Sequence, residues 1–237
     1  MSALIADLEL DGFAVVERVI DEAAVDLLLR ELESVRTDNV SMRAGKAFAI
    51  RNLLNVVPAA RLLTNSPVMR SLVEPVLGSG AKVVRGIYFD KHQEANWKVA
   101  WHQDLTIAVR QQMDVDGFSA WSMKAGIHHV QPPISILENM LSLRLHLDHT
   151  DDSNGALRVL PRSHKHGRLG PQEIQHWKDT RASVTCPVNR GGVMLMRPLL
   201  LHASSAASHP SHRRVLHFEY SSSDLPVGLE WFDCLLL

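Results

Sequence analysis

Cysteine is scarce in this chain. Two occur in 237 residues, Cys186 and Cys234, and they form no metal-type spacing. A disulfide scaffold is excluded, and the expected state is reduced thiols in a cytoplasmic protein. Excess charge of one sign is also missing. A net charge of −1 with a pI near 6.9 gives no global field toward nucleic acid or an anionic membrane. No charge-free apolar run reaches the roughly eighteen residues of a membrane span, so no transmembrane helix is expected. The opening MSALIADLELDGF has early acids and no basic n-region, and does not read as a signal peptide. Internal repeats and low-complexity tracts are absent.

What is present is a chain that is 46 % apolar, enough for a sizeable core and compatible with one large domain. GFAVVERVI reads as a short strand. Residues 21–36 read as a helix with Asp21 as N-cap, and residues 66–77 as a second helix closed by Gly78 and Gly80. From residue 81 the character changes. AKVVRGIYF, KVAWHQDLTIAV, MLSLRLHLD, GALRVLP, GGVMLMRPLLLHAS and RRVLHFEYS are short, β-rich and divided by turn signals. Short strands after a helical start predict a sandwich or jelly roll with helices packed outside. Residues 110–135 show weak periodicity and read as a long irregular connection, with 107–133 a candidate lid.

Thirteen histidines are many for this length, and histidine is the commonest metal ligand. A His-x-Asp or His-x-Glu pair on a strand puts both groups on one face and supplies two ligands of a facial triad. Roughly one His-x-Asp is expected here by chance, so the pair alone is weak. Five candidates occur: His92/Glu94, His102/Asp104, His146/Asp148, His149/Asp151 and His217/Glu219. His149/Asp151 lies in a polar turn, His92/Glu94 in a hydrophilic hairpin loop, and His217/Glu219 has no later histidine to complete a triad. His146/Asp148 ends a strand and stays a serious competitor. His102/Asp104 has strand-like sequence on both sides, where a rigid ligand pair belongs.

Four stretches, DGFAVVERVID before a helix, WHQD, NGALRVLPRSHKHG and GGVMLMRPLLLHASSAASHPSHRRVLHFEY, resemble the phytanoyl-CoA dioxygenase family of Fe(II)/2-oxoglutarate oxygenases. The third is similar to the family's Asn-Gly-x-Leu-x-x-x-Pro-Gly-Ser-His turn, with Arg162 where glycine is usual. The resemblance implies a mainly β, cupin-like double-stranded β-helix (a jelly roll) over about 81–237. N-terminal helices over about 1–80 would pack on it, the whole of 1–237 forming one domain. It implies His102, Asp104 and His202 as metal ligands, and Arg213, eleven residues after His202, as the clamp for the distal carboxylate of 2-oxoglutarate. A planar guanidinium suits that task because it binds a carboxylate through two charge-assisted hydrogen bonds. Arg214 competes for the role, and strand alternation lets only one of the two face inward. Ser204, Gln103 and Trp121 resemble family positions around the cosubstrate.

The cofactors implied are Fe(II), 2-oxoglutarate and O2. The chemistry is decarboxylation of 2-oxoglutarate to succinate coupled to hydroxylation of an aliphatic C–H of a small-molecule substrate. Halogenating relatives carry Ala or Gly at the carboxylate position, so Asp104 points to hydroxylation or a related oxidation. Nothing resembles a dedicated CoA-binding element, and neither nucleic acid nor membrane is expected as a partner. Arg144 alternates with His146, which would allow it to face the barrel near the site, but a strand-edge surface position is the preferred reading. The basic run Arg158, Arg162, Lys165 and Arg168 is read as a solvated loop rather than as an attractor for an anionic substrate. His128 and His129, in the candidate lid, are read as loop histidines outside the ligand set rather than as substrate contacts. Two other classes stay open: a jelly-roll binding protein without turnover, and a zinc or metal-storage cupin suggested only by the histidine count.

Overall fold

In the computed structural model, which describes residues 2–35, 41–43, 46–209 and 211–237, helices occupy much of the first eighty residues. They are α1 (Ser2–Leu10), α2 (Glu22–Glu33), α3 (Leu53–Val56), α4 (Pro58–Thr64) and α5 (Pro67–Leu77). Between them lie strands β1 (Phe13–Val16), β2 (Ser41–Arg43) and β3 (Lys46–Ile50). Asp21 caps α2 by accepting the Ala24 N–H at 2.8 Å, a contact of the kind worth about 1 kcal/mol. Val25, Leu28 and Leu32 recur at helical spacing and are buried. Position 36, the end of the predicted helix, lies outside the described residues. Ser66 caps α5, with Pro67 in its first turn and Gly78 at its C-terminal end.

The remaining strands are β4 (Lys82–Lys91), β5 (Val99–His102), β6 (Ile107–Val109), β7 (Ser119–Lys124) and β8 (Ile127–Gln131). After helix α6 (Ile134–Glu138) come β9 (Met140–His146) and β10 (Leu157–Val159). A short 3-10 turn at Ser163–His166 and helix α7 (Pro171–Thr180) then precede β11 (Val184–Cys186), β12 (Val193–Met196), β13 (His202–Ser204), β14 (Arg213–Ser221) and β15 (Leu235–Leu236). The larger sheet runs β1-β12-β9-β14-β4-β3-β2, with β15 also on β4. The smaller runs β11-β10-β13-β5. This is the mainly antiparallel jelly-roll architecture that the sequence predicts. Residues 1–80 supply strands to the larger sheet as well as helices.

Alternation on β14 shows how the sheet serves two masters. Leu216, Phe218 and Tyr220 face the helical layer and join the main apolar core with Leu141, Leu143 and Leu145 of β9. Arg213, His217 and Glu219 have the opposite parity and line a cleft between the two sheets. Gly86 permits the close helix contact, since a Cβ there would lie 2.6 Å from Leu54 Cγ.

The predicted irregular connection is instead a third sheet, β6-β8-β7. Its periodicity is masked because a register shift falls between Ser119 and Ser122, and Ala120 inside β7 has φ 52°. The hairpin turn is Ala125–Gly126, with φ 50° and 75°. Both residues are left-handed, as a type I′ turn requires, but Ala-Gly lacks the usual Asn-Gly or Asp-Gly signature. Among the described residues no helix is long and apolar enough to cross a membrane.

Candidate metal and cosubstrate site

β5 and β13 pair so that His102 and His202 lie directly opposite one another. Their ring centroids are 4.2 Å apart with planes at 50°. His102 Nδ1 lies 2.9 Å from the Ala100 carbonyl oxygen, and His202 Nδ1 lies 2.9 Å from that of Leu200. A carbonyl oxygen only accepts, so each Nδ1 carries the proton and each Nε2 presents a lone pair. Asp104 lies just past β5, held by its N–H to the Pro198 carbonyl at 2.9 Å. Its carboxylate oxygens are 3.8 Å from His102 Nε2 and 3.8 Å from His202 Nε2. One ligand atom from each of the three residues fits within 4.8 Å of the others, the one such cluster among the described residues. Two imidazoles and a carboxylate on one side of an open cleft are the donor set of a non-haem iron site.

Charge inside the cleft favours metal-ready protonation states. Burial holds His202 down at about 4, reinforced by His102 and Arg144 and only partly offset by Asp104, so it is neutral at physiological pH. Burial raises the Asp104 carboxyl, but His202, His217, His102 and Arg144 outweigh it and leave the group ionised below the usual range.

Arg213 begins β14 and is 4 % exposed. Its Nη1 donates to the Gly155 carbonyl oxygen at 2.6 Å, while its buried Nε has no hydrogen-bond partner. Gly155 has φ 83°, and a Cβ there would lie 2.7 Å from Ser205 O, so both conformation and space require glycine. Ser204 lines the same cleft, and its hydroxyl accepts from Lys91 Nζ at 3.3 Å. Lys91, opposite Arg213 in the ladder, is pushed down to about 7 by burial, then by Arg213 and Arg144. A buried guanidinium with a free donor, beside a second buried nitrogen donor, is a receptor for a carboxylate. Arg214, of opposite parity, is committed elsewhere: its side chain grips Asp148 through Nε at 2.9 Å and Nη2 at 2.7 Å.

Two of the predicted cosubstrate residues are not brought to the cleft. Gln103 donates to the carbonyls of Gly167 and Leu199, each at 2.7 Å, and accepts the Leu169 N–H at 2.8 Å. Its amide is fully used in fastening the segments around the histidines. Trp121 packs on an apolar cluster with Ile107 and Val130. Arg162 occupies its turn at φ 72°, in the left-handed region that explains the family's glycine there. Ser163 next to it accepts the Leu201 N–H at 2.8 Å and steadies the strand entering His202.

Sequence reasoning missed a second set of cleft residues. Arg144 is no surface residue: β9 lies between β12 and β14, and Arg144 is 8 % exposed. Its Nη1 donates to His217 Nδ1 at 3.2 Å, His217 Nε2 lies 3.4 Å from Glu219 Oε1, and Arg85 Nη1 donates to the same oxygen at 3.1 Å. The available signal was an ionisable residue amid apolar neighbours in each of these strands, since charge is rarely buried without a task. The basic run stays out of the cleft. Arg162 pairs with Asp11 at 3.1 Å, Arg168 donates to Pro132 O at 3.0 Å, and Arg158 lies over the Trp101 ring. His129 is buried with Nδ1 on the Ile127 carbonyl and does not line the cleft.

The phytanoyl-CoA dioxygenase family model matches residues 8–215. The chain belongs to the phytanoyl-CoA dioxygenase family. This membership makes it an Fe(II)-dependent oxygenase that uses 2-oxoglutarate and O2. Solved structures share the fold at low identity. AviO1 from Streptomyces viridochromogenes Tue57 is 21 % identical with a TM-score of 0.68, covering 95 % of this chain and 96 % of its own. EctD from S. alaskensis, solved with 2-oxoglutarate and 5-hydroxyectoine, is 18 % identical with a TM-score of 0.71, covering 93 % and 76 %. The 2-oxoglutarate-dependent epimerase SnoN from nogalamycin biosynthesis is 18 % identical with a TM-score of 0.67, covering 96 % and 90 %. No curated protein matches the chain by sequence.

Proposed function

We propose that this dioxygenase hydroxylates an aliphatic C–H bond of a small-molecule metabolite. In this reading His102, Asp104 and His202 hold Fe(II), and Arg213 with Ser204 holds the distal carboxylate of 2-oxoglutarate. The observation that carries it is the convergence of two Nε2 lone pairs and a carboxylate in the cleft that Arg213 also lines. When bound, Fe(II) with 2-oxoglutarate and O2 supplies an oxidising power that side chains lack, and 2-oxoglutarate leaves as succinate and carbon dioxide. The protein's residues do the rest. The Ala100 and Leu200 carbonyls fix the imidazole tautomers, and Gly155 orients Arg213. Asp104 would supply a ligand where a halogenating enzyme leaves room for halide, which favours hydroxylation.

The described residues act as one domain in this reading, because the larger sheet takes β1 from one end of the chain and β14 and β15 from the other. A cytosolic setting is supported by the two unpaired thiols, Cys186 buried and Cys234 exposed.

The test is spectroscopic. Apoprotein prepared without oxygen receives Fe(II) and then 2-oxoglutarate. A weak visible charge-transfer band is expected, lost in His102→Ala and weakened in Arg213→Ala. Iron bound with no band on adding 2-oxoglutarate would overturn the assignment and favour a binding protein that keeps the metal.

A further inference from the structure

The cleft, about 260 Å³, carries charge that neither the metal nor the cosubstrate accounts for. On β4 the inward residues run from Arg85, opposite Glu219, to Lys91, opposite Arg213. Six residues of strand separate the two ends, roughly 20 Å at about 3.3 Å per residue. A five-carbon diacid anchored at Arg213 ends far short of Arg85. The far end therefore faces whatever else enters the cleft.

That end is cationic. Arg51, Arg85 and Lys124 line the cleft with Glu219, which pairs with Arg85, and Asp104, the ligand carboxylate, is the other acid in it. Arg85 and Glu219 are each 6 % exposed. Arg85 Nε is buried with no hydrogen-bond partner, as are Arg144 Nε and the second Glu219 oxygen, Oε2. Arg51 and Lys124 have no ion-pair partner among the described residues. Partial burial lowers the Lys124 ammonium first, and repulsion from Arg85 and Arg51 lowers it further against the opposing pull of Asp104 and Glu219. Burying charge and orphaning a guanidinium N–H both cost stability. An anionic guest offsets both, and a guanidinium fork matches an oxyanion.

We propose that the substrate bears a carboxylate or phosphate, gripped by Arg85 with Arg51 and Lys124 at the end of the cleft away from Arg213. This rests on the oxygenase reading above and names the substrate class for it. Lys124 ends β7 in the third sheet, whereas Arg85 and Glu219 belong to the larger sheet. The anion is thus held between the two, and the third sheet becomes a wall of the substrate site.

The test uses the whole chain loaded with manganese(II) and saturated with 2-oxoglutarate, so that no turnover intervenes. Calorimetry follows the binding of butyrate and methyl phosphate, with butyramide as the neutral counterpart. At least one anion is expected to bind ten times more tightly than butyramide. That preference should fall at least fivefold in Arg51→Gln and in Lys124→Gln, which leave the Arg85–Glu219 pair intact, and further in Arg85→Gln. Equal binding of charged and neutral probes, or a preference unchanged in all three variants, overturns the substrate proposal while saturation by 2-oxoglutarate upholds the oxygenase site. Failure of the wild-type chain to bind 2-oxoglutarate overturns the oxygenase site itself, and the substrate assignment with it.

Discussion

Arg214 holds Asp148 in a two-pronged grip, Nε to Oδ2 at 2.9 Å and Nη2 to Oδ1 at 2.7 Å, with the Arg214 N–H on Oδ2 at 2.8 Å. This pairing removes His146/Asp148 from the metal candidates, and His146 Nδ1 is itself engaged with Thr150 Oγ1 at 2.8 Å. Asp148→Ala should lower unfolding free energy by about 2–3 kcal/mol, since a mostly buried guanidinium loses its partner. Its stoichiometry of metal binding should remain that of the wild type. Asp104→Ala should do the reverse, with metal affinity lost and stability little changed. Denaturant titration and metal analysis of the two variants separate these outcomes, and loss of metal by Asp148→Ala would sink the assignment.

Adjacent arginines offer a sharper contrast. Arg213 points into the cleft and Arg214 away from it. Arg213→Ala should weaken 2-oxoglutarate binding by roughly a hundredfold, the scale of losing charge-assisted hydrogen bonds in a buried site. Arg213→Lys should recover little, because one ammonium cannot both meet Gly155 O and fork onto a carboxylate. Arg214→Ala should leave the dissociation constant within about twofold. Equilibrium titration under anaerobic conditions reads all three, and equal losses at 213 and 214 would refute the assignment.

The convergence of His102, Asp104 and His202 and the inward placement of Arg213 were legible chiefly through the family resemblance. The residues alone put His102 and His202 on strands but left His146/Asp148 competing. Alternation required only that one of Arg213 and Arg214 face inward, and the eleven-residue spacing from His202 that the resemblance supplies favoured Arg213. The third sheet was not legible, since its hairpin turns on Ala125–Gly126 and a register shift breaks its alternation. The Arg144–His217–Glu219–Arg85 chain escaped for another reason. A search for metal triads discards His217/Glu219 for want of a later histidine, yet a buried charge network needs only neighbours across strands, and those follow from pairing that a linear sequence does not display.

Lys91 sets a pH dependence of stability for the metal-free protein. Its ammonium is 1 % exposed and titrates at about 7 against an ordinary 10.5, through burial first and then Arg213 and Arg144. Between those values the unfolded chain holds a proton that the folded chain has released. Stability therefore rises with pH across that window, by up to about 1.4 kcal/mol per pH unit, and is flat in this contribution below pH 7, where both states are protonated. Urea unfolding between pH 7 and 9.5 should show the rise in the wild type and a flatter profile in Lys91→Met. Parallel profiles would show that Lys91 is not the group responsible.

Gln103 decides between touching the cosubstrate and holding the site in shape. Its amide meets the carbonyls of Gly167 and Leu199 and the N–H of Leu169, and is flanked in sequence by His102 and Asp104. It thus ties the first ligand pair to the segment that enters His202. Gln103→Ala leaves one buried donor and two acceptors unmet, a cost of roughly 2–4 kcal/mol when each lost partner is worth about 1. At saturating metal the same change should shift 2-oxoglutarate affinity by less than about threefold, because the side chain does not line the cleft. Arg213→Ala should show the opposite pattern, a large loss of affinity with a small change in melting temperature. If Gln103→Ala instead lost 2-oxoglutarate binding while melting like the wild type, a direct contact with the cosubstrate would replace the positioning role argued from these three hydrogen bonds.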